Sequence, residues 1–171
     1  MTYKRICCFT GHRPDKLPWG YNESDPACEK LKETLEYWIV KLIEYGVIRF
    51  YTGMAMGVDI WAAEIVLKMK NQYPDKDIKL IAAIPYANQT AKWNDEWKTR
   101  YNDILEQADE KILLQEEYTR GCLHARNRYM VDNSSFIIAV YNGEEGGTKY
   151  TIDYATKKGL RIKIIDPREM N

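Results

Sequence analysis

Apolar residues follow two alternating patterns along this chain: short unbroken runs, and longer segments in which they recur every three or four positions. The runs are typical of buried strands and occupy residues 6–10, 47–51, 78–84, 111–114, 136–141 and 161–165. The periodic segments predict helices over residues 26–45, 59–69, 93–107, 123–132 and 148–158. This alternation predicts an α/β fold, a Rossmann-like three-layer sandwich with a mostly parallel sheet and helices on both faces.

The chain of 171 residues is expected to form a single domain, 1–171. In open α/β sheets, ligands bind beyond the carboxyl ends of the strands, where the strand order reverses. The loops most distinctive in composition all follow predicted strands. We therefore expect them to meet at one edge of the sheet; they cover residues 11–21, 52–59, 85–92 and 141–148.

The loop after the second strand reads Thr-Gly-Met-Ala-Met-Gly-Val-Asp and opens a helix. A turn of this kind aims backbone N–H groups and the positive end of the helix dipole at one point, where phosphate commonly binds. The glycines leave room for a ligand, and the aspartate either caps the helix, the commoner role, or holds a ribose hydroxyl. The predicted ligand-binding residues here are Gly53, Met54, Ala55, Gly57 and Asp59.

This loop matches neither the Gly-x-Gly-x-x-Gly pattern of dinucleotide sites nor the P-loop, whose lysine is missing. Magnesium-dependent phosphoryl transfer is therefore disfavoured. The first strand ends in Thr-Gly-His-Arg-Pro, in which Gly11 permits a sharp turn and His12 and Arg13 can both reach an anion. His12 is also a candidate general base, although the sequence names no partner for it.

A third strand-to-helix turn contains Gly146, Gly147 and Thr148, and the threonine hydroxyl can cap the helix or donate to phosphate. Glu144 and Glu145 precede this turn and face either solvent or the hydroxyls of a sugar. On the preceding helix, His124, Arg128 and Asp132 share one face that a solvated salt-bridge network explains. Arg126 lies on another face and is a candidate phosphate ligand.

Composition indicates which classes of binding partner are disfavoured. Lys and Arg number 25, as do Asp and Glu, so the formal charge is zero, which argues against nucleic acid as a partner. No apolar run is long enough to span a bilayer, and no secretory signal is visible. The four cysteines form no disulfide-like framework, and the two histidines make no metal-binding pattern. A cytoplasmic protein without metal or cofactor is expected.

With these segments in order, the chain resembles the YpsA-like proteins, a bacterial branch of the SLOG superfamily. The resemblance rests on the opening Thr-Gly-His-Arg-Pro, on the 52–59 turn and on the late Gly-Gly-Thr, and it covers nearly the whole chain. It implies a Rossmann-like fold that binds a nucleotide or nucleotide-derived ligand. By analogy with the superfamily it also implies a homo-oligomer.

The same superfamily includes the cytokinin-activating phosphoribohydrolases, and two of their motifs are matched here. Arg126 matches their functional arginine, and residues 146–148 match their glycine turn. Tyr150 and Thr151 stand where that family has acidic residues, although cleavage of an N-glycosidic bond requires a carboxylate. The resemblance thus leaves the catalytic residues unknown, with Arg126, Glu144, Glu145 and His12 as candidates.

The leading hypothesis is that the protein binds, or senses, a nucleotide-like small molecule in a pocket at the carboxyl ends of the strands. One alternative is a nucleoside 5′-monophosphate phosphoribohydrolase. Another is binding of single-stranded nucleic acid, because the DNA-processing protein of natural transformation shares the superfamily fold. A pure interaction module is the remaining alternative.

Overall fold

A computed structural model describes residues 5–171 of the chain. Six strands and five helices alternate. The strands are β1 (Ile6–Gly11), β2 (Arg49–Thr52), β3 (Lys79–Ile84), β4 (Glu110–Leu113), β5 (Phe136–Val140) and β6 (Arg161–Ile165). The helices are α1 (Pro26–Tyr45), α2 (Val58–Gln72), α3 (Asp95–Gln107), α4 (Cys122–Asp132) and α5 (Gly147–Lys157).

The strands form one six-stranded sheet in the order β4-β3-β2-β1-β5-β6, and every pairing is parallel. The predicted α/β Rossmann-like fold is confirmed, with a sheet that is wholly rather than mostly parallel. The chain builds outward from β1 to β4 on one side and then returns to the other side with β5 and β6. The order therefore reverses between β1 and β5, where an open α/β sheet forms its ligand crevice.

Helices cover both faces of the sheet. On one face α1 packs against α2 and α2 against α3, over a core that includes Phe9, Phe50 and Trp61. On the other face α4 packs against α5, over a core that includes Ile137 and Met130. Burial on both sides explains why the central strands are almost unbroken apolar runs.

Most element boundaries differ from the sequence prediction by one to three residues, and two of these differences have a clear cause in hydrogen bonding. Val47 was expected to open β2, but its N–H donates to the Leu42 carbonyl at 2.9 Å, so it completes the end of α1 after Gly46. Residue 93 was expected to open α3, but the helix begins at Asp95. Asn94 caps it by accepting a hydrogen bond from the Trp97 N–H at 3.0 Å.

The helices differ in how the backbone N–H groups of their first turns are capped. Asp25 caps α1 and Asn94 caps α3 through side-chain oxygens. In contrast, α2, α4 and α5 each start from a glycine and receive no side-chain cap; these glycines are Gly57, Gly121 and Gly146. The unpaired N–H groups and the positive dipole end of such a helix are available to an anion.

Candidate functional site

A cavity of about 540 Å³ lies at the reversal point of the sheet. Its walls come from the ends of β1 and β2, from the start of α4 and from the loop that opens α5. The structure thus brings the predicted glycine turns around residues 55 and 147 to one place. The lining residues are Phe9, Thr10, Gly11, His12, Arg13, Asp15, Lys16, Ala55, Asp59, Tyr118, Gly121, Leu123, His124, Arg126, Asn127, Glu144, Glu145, Gly146, Gly147 and Thr148.

Most of the predicted site residues line this cavity, and three do not. Gly53, Met54 and Gly57 lie behind its wall and are absent from its lining. Met54 is fully buried with φ of 60°, and Gly57 has φ of 91°. A Cβ on Gly57 would lie 3.0 Å from the His12 carbonyl oxygen, so this glycine allows the β1 and β2 loops to approach each other. Direct ligand contact by these three residues stays a prediction.

Gly53 receives the side chain of Arg126. The Arg126 Nη1 donates a hydrogen bond to the Gly53 carbonyl, which also accepts one from Gln89 Nε2 at 3.1 Å. A Cβ on Gly53 would lie 2.8 Å from the Arg126 Cζ and Nη1. The Arg126 guanidinium therefore occupies the space that a side chain at position 53 would need.

Arg126 also connects the β2 loop to α5. Its Nε donates to Asn127 Oδ1 at 2.8 Å, and Asn127 Nδ2 donates to Thr151 Oγ1 at 2.9 Å. The Thr151 hydroxyl in turn donates to the Gly147 carbonyl at 2.9 Å. Turns that are almost a hundred residues apart in the chain are thus held by one series of hydrogen bonds.

Arg126 and Asp59 are buried groups of opposite charge that interact electrostatically beside the cavity; their exposures are 4% and 7%. Burial raises the pKa of Asp59, and Arg126 opposes that rise. Burial also lowers the pKa of Arg126, and Asp59 opposes it. Asp59 is not the N-cap of α2, which is Gly57; instead its Oδ2 accepts a hydrogen bond from the Ala55 N–H at 3.3 Å.

The surroundings of His12 favour its neutral form. Burial lowers its pKa, and its Nε2 accepts a hydrogen bond from the Asn142 N–H at 3.1 Å. An Nε2 that accepts carries no proton, so the proton of the neutral ring is on Nδ1. His12 therefore contributes a polar ring to the cavity wall, with its Nε2 lone pair already engaged by the backbone. A role for His12 as general base stays a prediction.

The wall opposite β1 combines the uncapped start of a helix with two carboxylates. Gly146, Gly147 and Thr148 present the uncapped start of α5, and Thr148 is 7% exposed. Glu144 and Glu145 are exposed yet also line the cavity, so each is accessible from both solvent and the cavity. The Glu144 N–H is fixed by Asn142 Oδ1 at 3.0 Å.

The two residues that replace the expected acidic pair have structural roles and do not line the cavity. The Tyr150 hydroxyl accepts a hydrogen bond from Arg128 Nη1 at 2.8 Å, and its ring lies 4.1 Å from that of His124. Thr151 belongs to the hydrogen-bond series from Arg126. Asp132 accepts from the Tyr154 hydroxyl at 2.7 Å, so the predicted polar face of α4 is paired largely with tyrosines of α5.

Sequence reasoning missed several lining residues, of which Lys16 and Tyr118 have the clearest chemistry. Lys16 lies five positions beyond Gly11 in a strand-end loop, and that position was its only signal. Tyr118 lies in the β4–α4 loop, which contains neither a motif nor a glycine turn before Gly121. His124 also lines the cavity, and its buried Nδ1 has no hydrogen-bond partner among the described residues.

Comparisons with known proteins identify relatives over nearly the whole chain. Residues 7–170 match the family model YpsA, described as the YspA SLOG family. A UPF0398 protein of Bacillus cereus (strain ATCC 14579) is 30% identical over 158 residues, which cover 91% of this chain and 84% of that protein. A UPF0398 protein of Halalkalibacterium halodurans is 28% identical over 173 residues, covering 97% and 90%.

Two solved structures share the fold. The DNA processing protein A of Helicobacter pylori, described for its single-stranded DNA binding mode, matches with a TM-score of 0.61 at 16% identity. That of Streptococcus pneumoniae matches with a TM-score of 0.57 at 17% identity. This chain is covered to 95% and 93% but spans only 65% and 49% of those proteins.

The Helicobacter structure corrects one expectation. We took the zero net charge as an argument against nucleic acid as a partner, and that exclusion is wrong, because a protein of this fold is described as binding single-stranded DNA. The physical reason is that a net charge averages over the whole surface. Here Arg13, Lys16 and Arg126 line one cavity of a neutral chain together with Asp15, Asp59, Glu144 and Glu145, a distribution that the net charge does not describe. No helix among residues 5–171 is long and apolar enough to cross a membrane.

Proposed function

The chain belongs to the YspA SLOG family, and on that premise we propose that its cavity binds a nucleotide or a nucleotide-derived ligand. The observation that carries the proposal is the uncapped start of α5, which meets cationic side chains in one cavity. Free N–H groups and the helix dipole favour a phosphate there. Thr148 would donate its hydroxyl to that phosphate, and Arg13 and Lys16 would add charge-assisted hydrogen bonds.

Arg126 has a second task in this proposal. Because it is buried and held by the Gly53 carbonyl, it supplies a fixed positive charge instead of a mobile one. Such preorganised charge attracts an anion without the entropic cost of ordering a long side chain. The neighbouring Asp59 keeps Arg126 from being an uncompensated buried charge.

The size and polarity of the cavity agree with a small molecule. Its volume of about 540 Å³ lies within the usual range for ligand pockets, roughly 300–1,000 Å³. Glu144 and Glu145 would accept hydrogen bonds from ribose hydroxyls, and they are unsuited to the phosphate itself. Ligand binding by Gly11, His12 and Ala55 would come from backbone and ring contacts at the base of the cavity.

The direct test is calorimetry and thermal shift with AMP, ADP-ribose and cyclic nucleotides. A ligand that binds only the native state stabilises it by about 2.7 kcal/mol at a hundredfold excess over Kd. Thr148→Val and Arg13→Ala should each weaken binding by about tenfold or more, the effect of losing a hydrogen bond to a charged group. Thr156→Val and Arg49→Ala, on the far end of α5 and at the start of β2, serve as matched controls with unchanged affinity.

No stabilisation by any of these compounds would overturn the proposal. Incubation with AMP followed by a search for free adenine tests the hydrolytic alternative. Glu144 and Glu145 are the carboxylates placed to serve it, because both line the cavity beside the α5 turn. Turnover that survives their replacement by glutamine would remove them as catalytic residues.

The structural likeness to the Helicobacter protein favours a second candidate, the binding of single-stranded DNA. Arg13 and Lys16, both exposed at the cavity rim, would contact the DNA backbone. Fluorescence anisotropy with a labelled oligothymidylate should then show binding that weakens steeply with salt, since phosphate contacts release counterions. No anisotropy change at low salt would exclude this candidate.

Two coarser features belong to the same proposal. The four cysteines are free and buried, as in proteins of a reducing compartment, and we propose that the protein is cytoplasmic. We also propose a homo-oligomer, which light scattering after gel filtration would test directly. A monomeric mass at micromolar concentration would contradict it.

A further inference from the structure

Tyr118 is a large aromatic side chain that lines the cavity yet is 61% exposed. It lies in the loop that joins β4 to α4. The other Phe, Tyr or Trp side chain in the cavity lining, Phe9, is fully buried in the core. Tyr118 is therefore the aromatic ring of this wall that a ligand can cover, and covering it would remove apolar surface from water.

The Tyr118 ring has an aromatic neighbour. It packs edge-to-face with Tyr86, with ring centroids 5.2 Å apart and planes at 77°. One edge-to-face neighbour covers at most one face of the ring, and the side chain is 61% exposed, so it retains apolar surface that a ligand can cover.

The loop that carries Tyr118 is also braced. The Ala87 N–H donates to the Glu116 carbonyl at 3.1 Å, which ties the loop to the segment after β3. Gln115 Nε2 donates both to the Glu117 carbonyl and to Thr119 Oγ1, each at 2.7 Å. These bonds on either side of Tyr118 limit the entropy that stacking would cost.

The cavity thus offers three kinds of chemistry: an uncapped helix start for an anion, two carboxylates for hydroxyls, and an exposed aromatic ring. A nucleotide has the matching parts in phosphate, ribose and planar base, whereas a sugar phosphate lacks the third. Resting on the proposed function, we propose that Tyr118 stacks on the nucleobase and determines the preference of the site for nucleotides over sugar phosphates.

The test compares AMP with ribose 5-phosphate by calorimetry and thermal shift on wild type, Tyr118→Phe and Tyr118→Ala. Removing the ring should weaken AMP binding by about 5- to 150-fold, the range for the loss of base–aromatic stacking. Tyr118→Phe keeps a stacking face and should retain wild-type affinity. Binding of ribose 5-phosphate should change by less than about twofold in either variant, since that ligand has no base to stack.

Tyr37→Ala is the matched control. Tyr37 is 53% exposed and packs edge-to-face with Trp38, also with centroids 5.2 Å apart, but it lies on α1 and outside the cavity lining. Its replacement should leave both ligands unaffected. The melting temperature of each unliganded variant shows whether the fold is intact.

The outcomes separate the two proposals. If wild type binds neither compound, both the proposed function and the stacking fail. If wild type binds AMP and Tyr118→Ala binds it equally well, the stacking is refuted and the nucleotide site stands. Equal loss of both ligands in Tyr118→Ala also refutes stacking, because it shows that the residue supports the loop. If wild type binds AMP alone, retained binding by Tyr118→Phe with loss in Tyr118→Ala supports stacking, and any other pattern refutes it.

Discussion

Replacing Gly53 with alanine tests the contact that joins the β2 loop to α4. The added Cβ would lie 2.8 Å from the Arg126 Cζ and Nη1 and 2.9 Å from its Nε, closer than real Cβ atoms approach other heavy atoms. Gly53 does not have a left-handed φ, so alanine is not strained by its backbone conformation. The cost of Gly53→Ala therefore comes from displacing the guanidinium.

The magnitude follows from what the guanidinium loses. A hydrogen bond that involves a charged group contributes about 1.5–3 kcal/mol, and Arg126 must leave the Gly53 carbonyl in a buried setting. An unpaired buried charge costs more, about 3–5 kcal/mol. We expect unfolding free energy to fall by about 2–4 kcal/mol, which lowers Tm by about 5–15 °C in a chain of this size.

The assay is thermal and urea unfolding of Gly53→Ala, Arg126→Ala and the double variant. If the clash with the guanidinium is the cause, truncating Arg126 removes it, and the two effects should fall short of additivity by at least about 1 kcal/mol. Gly147→Ala is the stability control, because a Cβ there meets nothing within 4 Å. A wild-type Tm for Gly53→Ala, or strict additivity in the cycle, would refute the reasoning.

Three further predictions concern stability and reactivity. Burial lowers the pKa of His12, so the contribution of His12 to stability is complete above about pH 6.5 and is lost as the pH falls below that value. The Tm advantage of wild type over His12→Gln should therefore shrink from pH 7.5 to 5.5. A constant difference in Tm would contradict this. Asn94→Ala removes the α3 cap and should cost about 1 kcal/mol in urea unfolding, whereas no loss would show that the cap is dispensable. Burial raises the pKa of Cys8 to about 12 and that of Cys7 well above its usual value. Both thiols should therefore react with a thiol reagent far more slowly in the native protein than in urea-unfolded protein. Equal reaction rates would show that this strand opens readily.

Much of the fold was readable from the sequence, because strand and helix periodicity reflects which side chains are buried. The run 161–165 coincides with β6, and Gly46 ends α1 in the left-handed conformation that glycine favours. Boundary errors arose where backbone bonds outweighed hydrophobicity, as at Val47. An apolar residue there completes a helix terminus, which a pattern of side chains does not reveal.

The site was readable only in part. The glycine turns stood out because a turn at a strand end restricts residue type, and Arg126 stood out because it matches the functional arginine of the phosphoribohydrolases. Gly53 was predicted to leave room for a ligand, and that stays a prediction. What the sequence did not show is that the guanidinium of Arg126, 73 residues further along the chain, lies where a side chain at position 53 would be. Tyr118 gave no signal, since an exposed tyrosine in a polar loop has no periodicity.

By itself, then, the sequence determined the order of strands and helices, the glycine turns and the family, because each depends on local residue types or on motifs contiguous in the chain. The tertiary structure alone decided that the strand order reverses between β1 and β5. It also decided that Arg126, Asp59 and Tyr118 line one cavity at that reversal. Those facts depend on long-range packing. Packing brings residues that are far apart in the sequence close together, and burial strengthens the interaction between their charges. A net charge of zero does not show where on the surface the charges lie, and that is why the composition was not a valid argument against nucleic acid as a partner.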